Sequence, residues 1–365
     1  MSVKRILFVA HHRLDRSPGQ RYRFEQYFTY LESKGLNCEL ANIISEKDDE
    51  VLYTSRNIIK KGLIAINAYR SRYLNYKSIK EFDLIVIYRE AILTRSILFE
   101  KLFAKSGVPM IFDFDDAIWV KDVSLVNQSL SWLKNENKIH KILPLCKHVT
   151  CGNEYLKEYA LNYNKNVTVI PSTVNTDLYR PIQLNGSSSV IKIGWVGSHT
   201  TIKHFEKIVD VYHKLKEKYL EKVEFKVIGD PNYINEELNI KGIPWDSQKE
   251  VELFNSFDIG VMPMPDDEWT KGKCGMKGLL YMSTGKPSVM SAIGVNNDII
   301  NDGVNGFLPK GEDQWFEILC RLIDNKQLRD DIGSKGRETV VNHFSTISQR
   351  DKYLDLYLSV IKQVD

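Results

Sequence analysis

At 365 residues the chain is longer than one hydrophobic core usually supports, so two domains are expected. Hydrophobic residues make up 43% and charged residues 27%, ordinary globular usage, and a formal net charge of only +3 argues against a general nucleic-acid binder. The five cysteines, at 38, 146, 151, 274 and 320, form no CxxC pair, which points to reduced thiols in a cytosolic protein rather than a disulfide framework or a zinc site.

The chain opens with MSVKRILFVAHH, whose apolar run breaks at His11 and is too short for a signal peptide. KRILFVA reads as a strand buried on both faces. The polar loop HHRLDRSPGQ follows, then RYRFEQYFTYLESKG at helical spacing with a stop at Gly35. NCELANI, FDLIVIYRE (82–90) and VPMIFDFDD (108–116) are further strands, and HVTCGNEYLKEYALNY and NVTVIPS continue the alternation. Residues 55–80 are basic, aromatic and amphipathic, with Lys60, Lys61, Arg70, Arg72, Lys77 and Lys80 among Ile, Leu and Tyr. That composition suits either an anionic membrane surface or a solvated surface helix. A second round of strands and helices begins at VIKIGWVGS (190–198), after the Pro/Gly/Ser-rich stretch PIQLNGSSSV. The expected fold class is α/β, two Rossmann-like doubly wound domains facing across a cleft: residues 1–180, residues 181–345, and a helix over 346–365 crossing back to the first domain. No stretch reaches the roughly 20 apolar residues of a membrane span.

Charged side chains gather where strands end. Arg13, Arg16, Arg21 and Arg23, with Gly19 before a helix, suit a diphosphate or an anionic acceptor, or form a solvated basic loop. Arg89 and Glu90 read equally as an acceptor-site pair or as an ion pair bracing a wall. In DFDDAIW, strand alternation puts Asp113 and Asp115 on one face and Asp116 on the other. Farther on, GWVGSHTTIKHFEKI offers a tight turn at Gly197, capping groups from Ser198 to Thr201, and Lys203 in a helix's first turn. A cation there opposes the helix dipole unless an anion sits nearby. GxGxxG is absent, and the eight histidines show no metal spacing, so no metal or cofactor is expected.

Three stretches together resemble one family. VIPSTVNTDLYRP (169–181), TGKPSVMSAIGVNNDIINDGVNGFL (284–308) and DIGVMPMPDDEWTKGKCGMKGLLYM are similar to segments of the family-4 retaining glycosyltransferases of the GT-B fold. SPGQRYRFEQY and FDFDDAIW fit a bacterial surface-polysaccharide branch of it. The resemblance places Gly275 on the donor-phosphate loop, with Met276 and Lys277 following, and Lys203 on the lysine of an Arg-x4-Lys pair. Gly197, Ser198 and His199, and Val295, Asn296, Asn297 and Asp298, fall on its donor-binding segments. Ser198 stands where the family has Arg, and Gly272 and Leu280 where it has a Glu-x7-Glu pair. Asp115 and Asp116 occupy its His-Asp positions.

The resemblance implies sugar transfer, with retention, from a nucleotide-diphosphate sugar to a glycan or lipid-linked acceptor in bacterial cell-surface polysaccharide biosynthesis. The expected location is the cytoplasm, where residues 55–80 offer one surface for contact with the inner face of the cell membrane. Lys277, Lys203 and backbone amides would neutralise the departing diphosphate. Asp115 would orient acceptor hydroxyls, alongside Arg13, Gly19, Arg21, Arg23, Arg89, Glu90, Asp113 and Asp116 as acceptor-binding residues. Two other readings stay open: a sugar-nucleotide epimerase or hydrolase of the same fold, and a non-catalytic nucleotide-sugar-binding partner subunit, which the missing glutamates favour.

Overall fold

The structure is a computed structural model that describes residues 3–53, 57–120, 138–183 and 189–362. It divides into two compact units, residues 1–172 with 349–365, and residues 173–348.

In the first unit the strands are β1 (Lys4–Val9), β2 (Leu36–Ala41), β3 (Leu84–Tyr88), β4 (Met110–Phe114), β5 (His148–Cys151) and β6 (Val167–Val169). They form one sheet in the order β2-β1-β3-β4-β5-β6, every neighbouring pair parallel. Helices α1 (Pro18–Arg23), α2 (Phe28–Ser33), α3 (Glu46–Tyr53), α4 (Ile58–Lys77), α5 (Leu98–Lys105), α6 (Ile139–Ile142) and α7 (Glu154–Leu161) connect them. Alternation along β1 separates two cores. Leu7 and Val9 join Ile85, Ile87, Phe112 and Phe114 on one face, while Ile6 and Phe8 join Phe24, Tyr27, Tyr353 and Tyr357 on the other. The expected single helix after Arg21 is broken, because Phe24 takes φ −139° between α1 and a short 3-10 turn. That departure lets Phe24 stack on Phe8 with ring centroids 5.1 Å apart.

The second unit holds β7 (Ile191–Val196), β8 (Val223–Ile228), a small antiparallel pair β9 (Ile234–Asn235) and β10 (Ile240–Lys241), β11 (Ile259–Met262) and β12 (Ser288–Met290). Its main sheet runs β12-β11-β7-β8, all parallel. Around it lie α8 (Ile202–Phe205), α9 (Val209–Tyr219), α10 (Glu250–Asn255), α11 (Glu268–Lys271), α12 (Met276–Ser283), α13 (Asn296–Ile299), α14 (Glu312–Asp324) and α15 (Lys326–His343). The final helix, α16 (Thr346–Lys362), begins in this unit and passes into the first, where Tyr353 and Tyr357 fill the core beneath Phe8.

The division lies at 172/173 rather than near 180, and the reason is local. Val174 N–H donates to the Phe344 carbonyl at 2.9 Å, the Tyr179 hydroxyl donates to Glu250 at 2.7 Å, and Arg337 donates to the Thr176 carbonyl at 3.2 Å. Residues 173–180 are thereby tied to the second unit. Of the Pro/Gly/Ser stretch, residues 184–188 lie outside the described residues. All five cysteines are free thiols.

Arg72 corrects one expectation. It lies on α4 but is fully buried, not at a surface. Its guanidinium donates to the carbonyls of Ala91 (2.6 Å), Ala41 (2.8 Å) and Ala10 (2.6 Å), tying together the end of β2 and the chain just beyond β1 and β3. Replacing one end of such a contact strands buried carbonyls. Arg72→Met should therefore lower stability by about 3 kcal/mol in urea unfolding. A loss under about 1 kcal/mol would show that the helix, not the guanidinium, holds these ends.

Candidate functional site

In open parallel sheets, ligands bind beyond the carboxyl ends of strands where the strand order reverses. The two sheets reverse between β1 and β3 and between β7 and β11. Both positions carry residues singled out in the sequence, yet their electrostatics are opposite.

Beyond β1 and β3 nearly every charge is matched. Arg23 is fully buried and grips Asp113 through two bonds (2.6 and 3.1 Å), with Thr150 donating to the same carboxylate at 2.5 Å. Arg23 and Asp113 thus brace the unit from within and do not present a binding surface. Asp115, nine-tenths buried, accepts from the Tyr88 hydroxyl at 2.7 Å and from Arg89 at 2.7 and 2.9 Å. Asp116 meets the same guanidinium at 2.5 Å. The alternation expected to part Asp115 from Asp116 fails because β4 ends at Phe114, after which the chain no longer pleats. Burial alone would raise the Asp115 carboxyl, but Arg89, Arg23 and the Tyr88 hydroxyl together hold it below its ordinary range.

Arg89 itself adopts φ 63°, a strained conformation for an arginine, and its N–H donates to the Asp113 carbonyl at 2.8 Å. Glu90 pairs with the buried Lys138 at 3.0 Å. Arg13 and Arg16 both turn to Asp49 of α3, Arg16 at 2.7 Å. Arg21 lies 4.9 Å over the Tyr22 ring. Gly19 is where α1 closes on Tyr88, and a methyl group there would overlap the Tyr88 hydroxyl. The sequence reading missed Asp49 and Lys138, which are remote in sequence from the residues they neutralise, and it did not assign Tyr88 its hydrogen bond to Asp115.

Beyond β7 and β11 a cation is left over. Gly275 takes φ 66° and starts α12, and a side chain there would run into Ile299. The first-turn amides of α12, from Met276 on, lack intrahelical acceptors. Lys277, in that turn, is partly buried with its ammonium 4.3 Å from the Trp195 ring centroid. Among the described residues no carboxylate pairs with it. Burial, and then Lys273, lower its pKa to about 7. Lys273 lies 3.5 Å from the Trp269 ring centroid. His204, buried beside Trp269, is lowered to about 4 by burial and by Lys277, Lys203 and Lys273, so the imidazole is neutral and the three lysines are neighbours. Lys203 is exposed on α8.

The remaining donor-side expectations divide. His199 faces Asp230 at 3.1 Å. The Ser198 N–H is taken by Thr201 Oγ1 at 3.1 Å, while Gly197 passes against the Trp195 ring. The amides of Asn296, Asn297 and Asp298 are consumed in their own turn by the carbonyls of Ile293, Gly294 and Val295, so they do not face a ligand. Asn296 instead keeps a buried side-chain oxygen without a partner, beside Gly275. Asn297 and Asp298 border a cavity of about 590 Å³ that also meets Lys335 and His343. Trp195, Trp269, Lys273 and His204 were not legible as site residues, since three separate segments bring them together. Among the described residues no cluster of three metal-ligating side chains forms.

Residues 190–325 match the family described as Glycosyl transferases group 1. Trehalose synthase of Thermococcus litoralis is 27% identical over 167 residues, covering 41% of this chain and 39% of that protein. The Escherichia coli UDP-Gal:alpha-D-GlcNAc-diphosphoundecaprenol alpha-1,3-galactosyltransferase is 35% identical over 82 residues, covering 22% of this chain and 21% of its own. The chain therefore spans about two fifths or less of the curated relatives it matches. Among solved structures, sucrose-phosphate synthase of Thermosynechococcus elongatus has TM-score 0.75 at 15% identity, covering 99% of this chain and 100% of that one. Anabaena HepE with UDP and glucose has TM-score 0.67 at 14% identity, covering 98% and 100%.

Asp115 gives this geometry a direct test. Its folded pKa is depressed, so its contribution is present above about pH 4 and is lost as pH falls below that. Asp115→Asn should lower stability by about 2 kcal/mol at neutral pH in urea unfolding, the gap closing in acid. An unchanged midpoint at neutral pH would contradict the paired arrangement. Residues 190–325 are thus similar to a group 1 glycosyl transferase domain, and the α/β fold with parallel sheets matches these GT-B glycosyltransferase structures.

Proposed function

We propose that the chain is a glycosyltransferase. It moves a sugar, with retention, from a nucleotide-diphosphate sugar to a glycan or lipid-linked acceptor in bacterial cell-surface polysaccharide synthesis, in the cytoplasm at the inner face of the membrane. The observation that carries this reading is Lys277, a partly buried cation at a helix start with no carboxylate paired to it among the described residues. Such a group supplies the positive half of an ion pair whose negative half arrives with the substrate. The names of the relatives support a UDP-sugar donor and a diphospho-lipid acceptor, both of which belong to those proteins.

Transfer breaks the bond between the sugar's anomeric carbon and the diphosphate and forms one between that carbon and the acceptor's hydroxyl oxygen, while charge builds on the departing phosphate oxygen. Lys277, Lys203 and the first amides of α12 stabilise that charge without reorganising. Because Asp115 and Asp116 are committed to Arg89, the leaving diphosphate is assigned as the group that takes the acceptor's proton on the same face, which gives retention. Asp115 then acts through Arg89 and Tyr88, shaping the acceptor side instead of touching the reacting atoms.

A panel of nucleotide sugars, scored by thermal shift and by released nucleotide, should show one nucleotide that stabilises the protein. Lys277→Ala should then lower kcat/KM for that donor by roughly a hundredfold, about 2.7 kcal/mol of transition-state stabilisation. A variant within twofold of wild type would remove Lys277 from the reaction, and no response to any nucleotide would sink the proposal.

A further inference from the structure

Helix α4 presents the wrong face to water. Its inner side is Ile64, Ala68 and the carbonyl-capping Arg72, all buried. Its outer side carries Ile59, Leu63, Ile66, Tyr73 and Leu74, which are 78%, 56%, 65%, 50% and 53% exposed. Intervals of four, three and seven from Ile59 to Tyr73, with Leu74 alongside, place them on one stripe about 100° wide, the pattern a water-soluble helix normally buries. Cations flank or interrupt that stripe at Lys60, Arg70 and Lys77, and α4 has no acidic residue. Lys77 lies 5.1 Å from the Tyr73 ring centroid. Helix α5, packed beside α4, adds exposed Leu98 and the exposed Lys101 and Lys105.

Three of the four acids of α3 are engaged away from this charge: Asp49 is held by Arg13 and Arg16, Glu46 lies 3.5 Å from Arg13, and Asp48 accepts from Ser45 at the helix start. The fourth, Glu50, is exposed and sets one negative charge against Lys60, Arg70 and Lys77. Two occupants could cover an apolar stripe this long: another protein surface or a lipid interface. A second copy of this chain meeting it about a two-fold axis would set the cations Lys60, Arg70 and Lys77 of one copy against those of the other, with no acid on α4 to pair them. Anionic headgroups satisfy both halves of the pattern, since lysine and arginine reach phosphate while the isoleucines and leucine enter the acyl boundary.

We propose that the outward face of α4 docks the first unit on an anionic lipid bilayer, lying in the interface plane with Ile59, Leu63 and Ile66 inserted and Lys60, Arg70 and Lys77 on the headgroups. This gives a surface to the membrane placement proposed above and is independent of the transfer chemistry. No helix among the described residues is long and apolar enough to cross a membrane, so the contact is one of lying on the surface.

The test is flotation of the full chain with vesicles of phosphatidylcholine alone and of phosphatidylcholine mixed with phosphatidylglycerol. Binding is expected to the mixed vesicles, weakening as salt is raised. Leu63→Glu with Ile66→Glu should reduce it by at least roughly tenfold. Lys60→Gln, Arg70→Gln and Lys77→Gln together should abolish the preference for phosphatidylglycerol. Circular dichroism and nucleotide-sugar binding in solution, measured on the same preparations, separate a misfolded variant from a lost surface. They also keep failure of docking distinct from failure of the transferase reading. A wild-type chain that ignores mixed vesicles, or paired glutamates that leave binding intact, would overturn the proposal. So would a wild-type dimer that the glutamates dissolve in the absence of vesicle binding.

Discussion

A lysine held against a tryptophan face without a matching carboxylate is costly, and much of the second unit's local architecture concerns where that cost is placed. Lys277 falls in the first turn of α12, where helix amides already point outward and the dipole disfavours a cation. Burial and Lys273 push the ammonium toward neutrality. Trp195 offers partial compensation through its ring, and Gly275 makes the turn that aims the helix. Apart from the ring contact, each of these features is unfavourable or neutral in isolation. Together they describe a helix start whose energy would fall if an anion arrived, which is the role the proposed function gives it.

The first unit uses the same end of a parallel sheet in the opposite way. Arg23 meets Asp113, Arg89 meets Asp115 and Asp116, Lys138 meets Glu90, and Arg13 and Arg16 meet Asp49. Arginines that read as anion ligands in the sequence are largely spent on the protein's own carboxylates. What remains there is a nearly neutral group of charges, with Tyr88 and the strained Arg89 at its centre.

Strands were legible because runs such as KRILFV and LIVIY bury both faces, and no competing structure accommodates that composition. The alternation of strands and helices carried the fold class for the same reason. The interruption at Phe24 was not legible, since helical spacing continues through it and only stacking on Phe8 explains the break. The boundary near 172 depends on hydrogen bonds to residues far along the chain, which composition does not encode. At the site, Gly275 and Lys277 were found through the family likeness, whereas Trp195 read simply as strand core. Arg72 shows the converse: its place among basic residues suggested a surface, while the carbonyls it reaches come from three distant segments.

The central claim is that Lys277 waits for an anion, and proton linkage measures it directly. At about pH 8 a lysine of pKa about 7 is mostly neutral, and a diphosphate drawn beside it restores the charge. The diphosphate of a nucleotide sugar has no ionisation in this range, so it contributes no proton of its own. Calorimetric titration of the stabilising nucleotide sugar, in buffers of differing ionisation enthalpy, should show uptake approaching one proton per site in the wild type and close to none in Lys277→Gln. Binding by the wild type with no proton uptake would contradict the account.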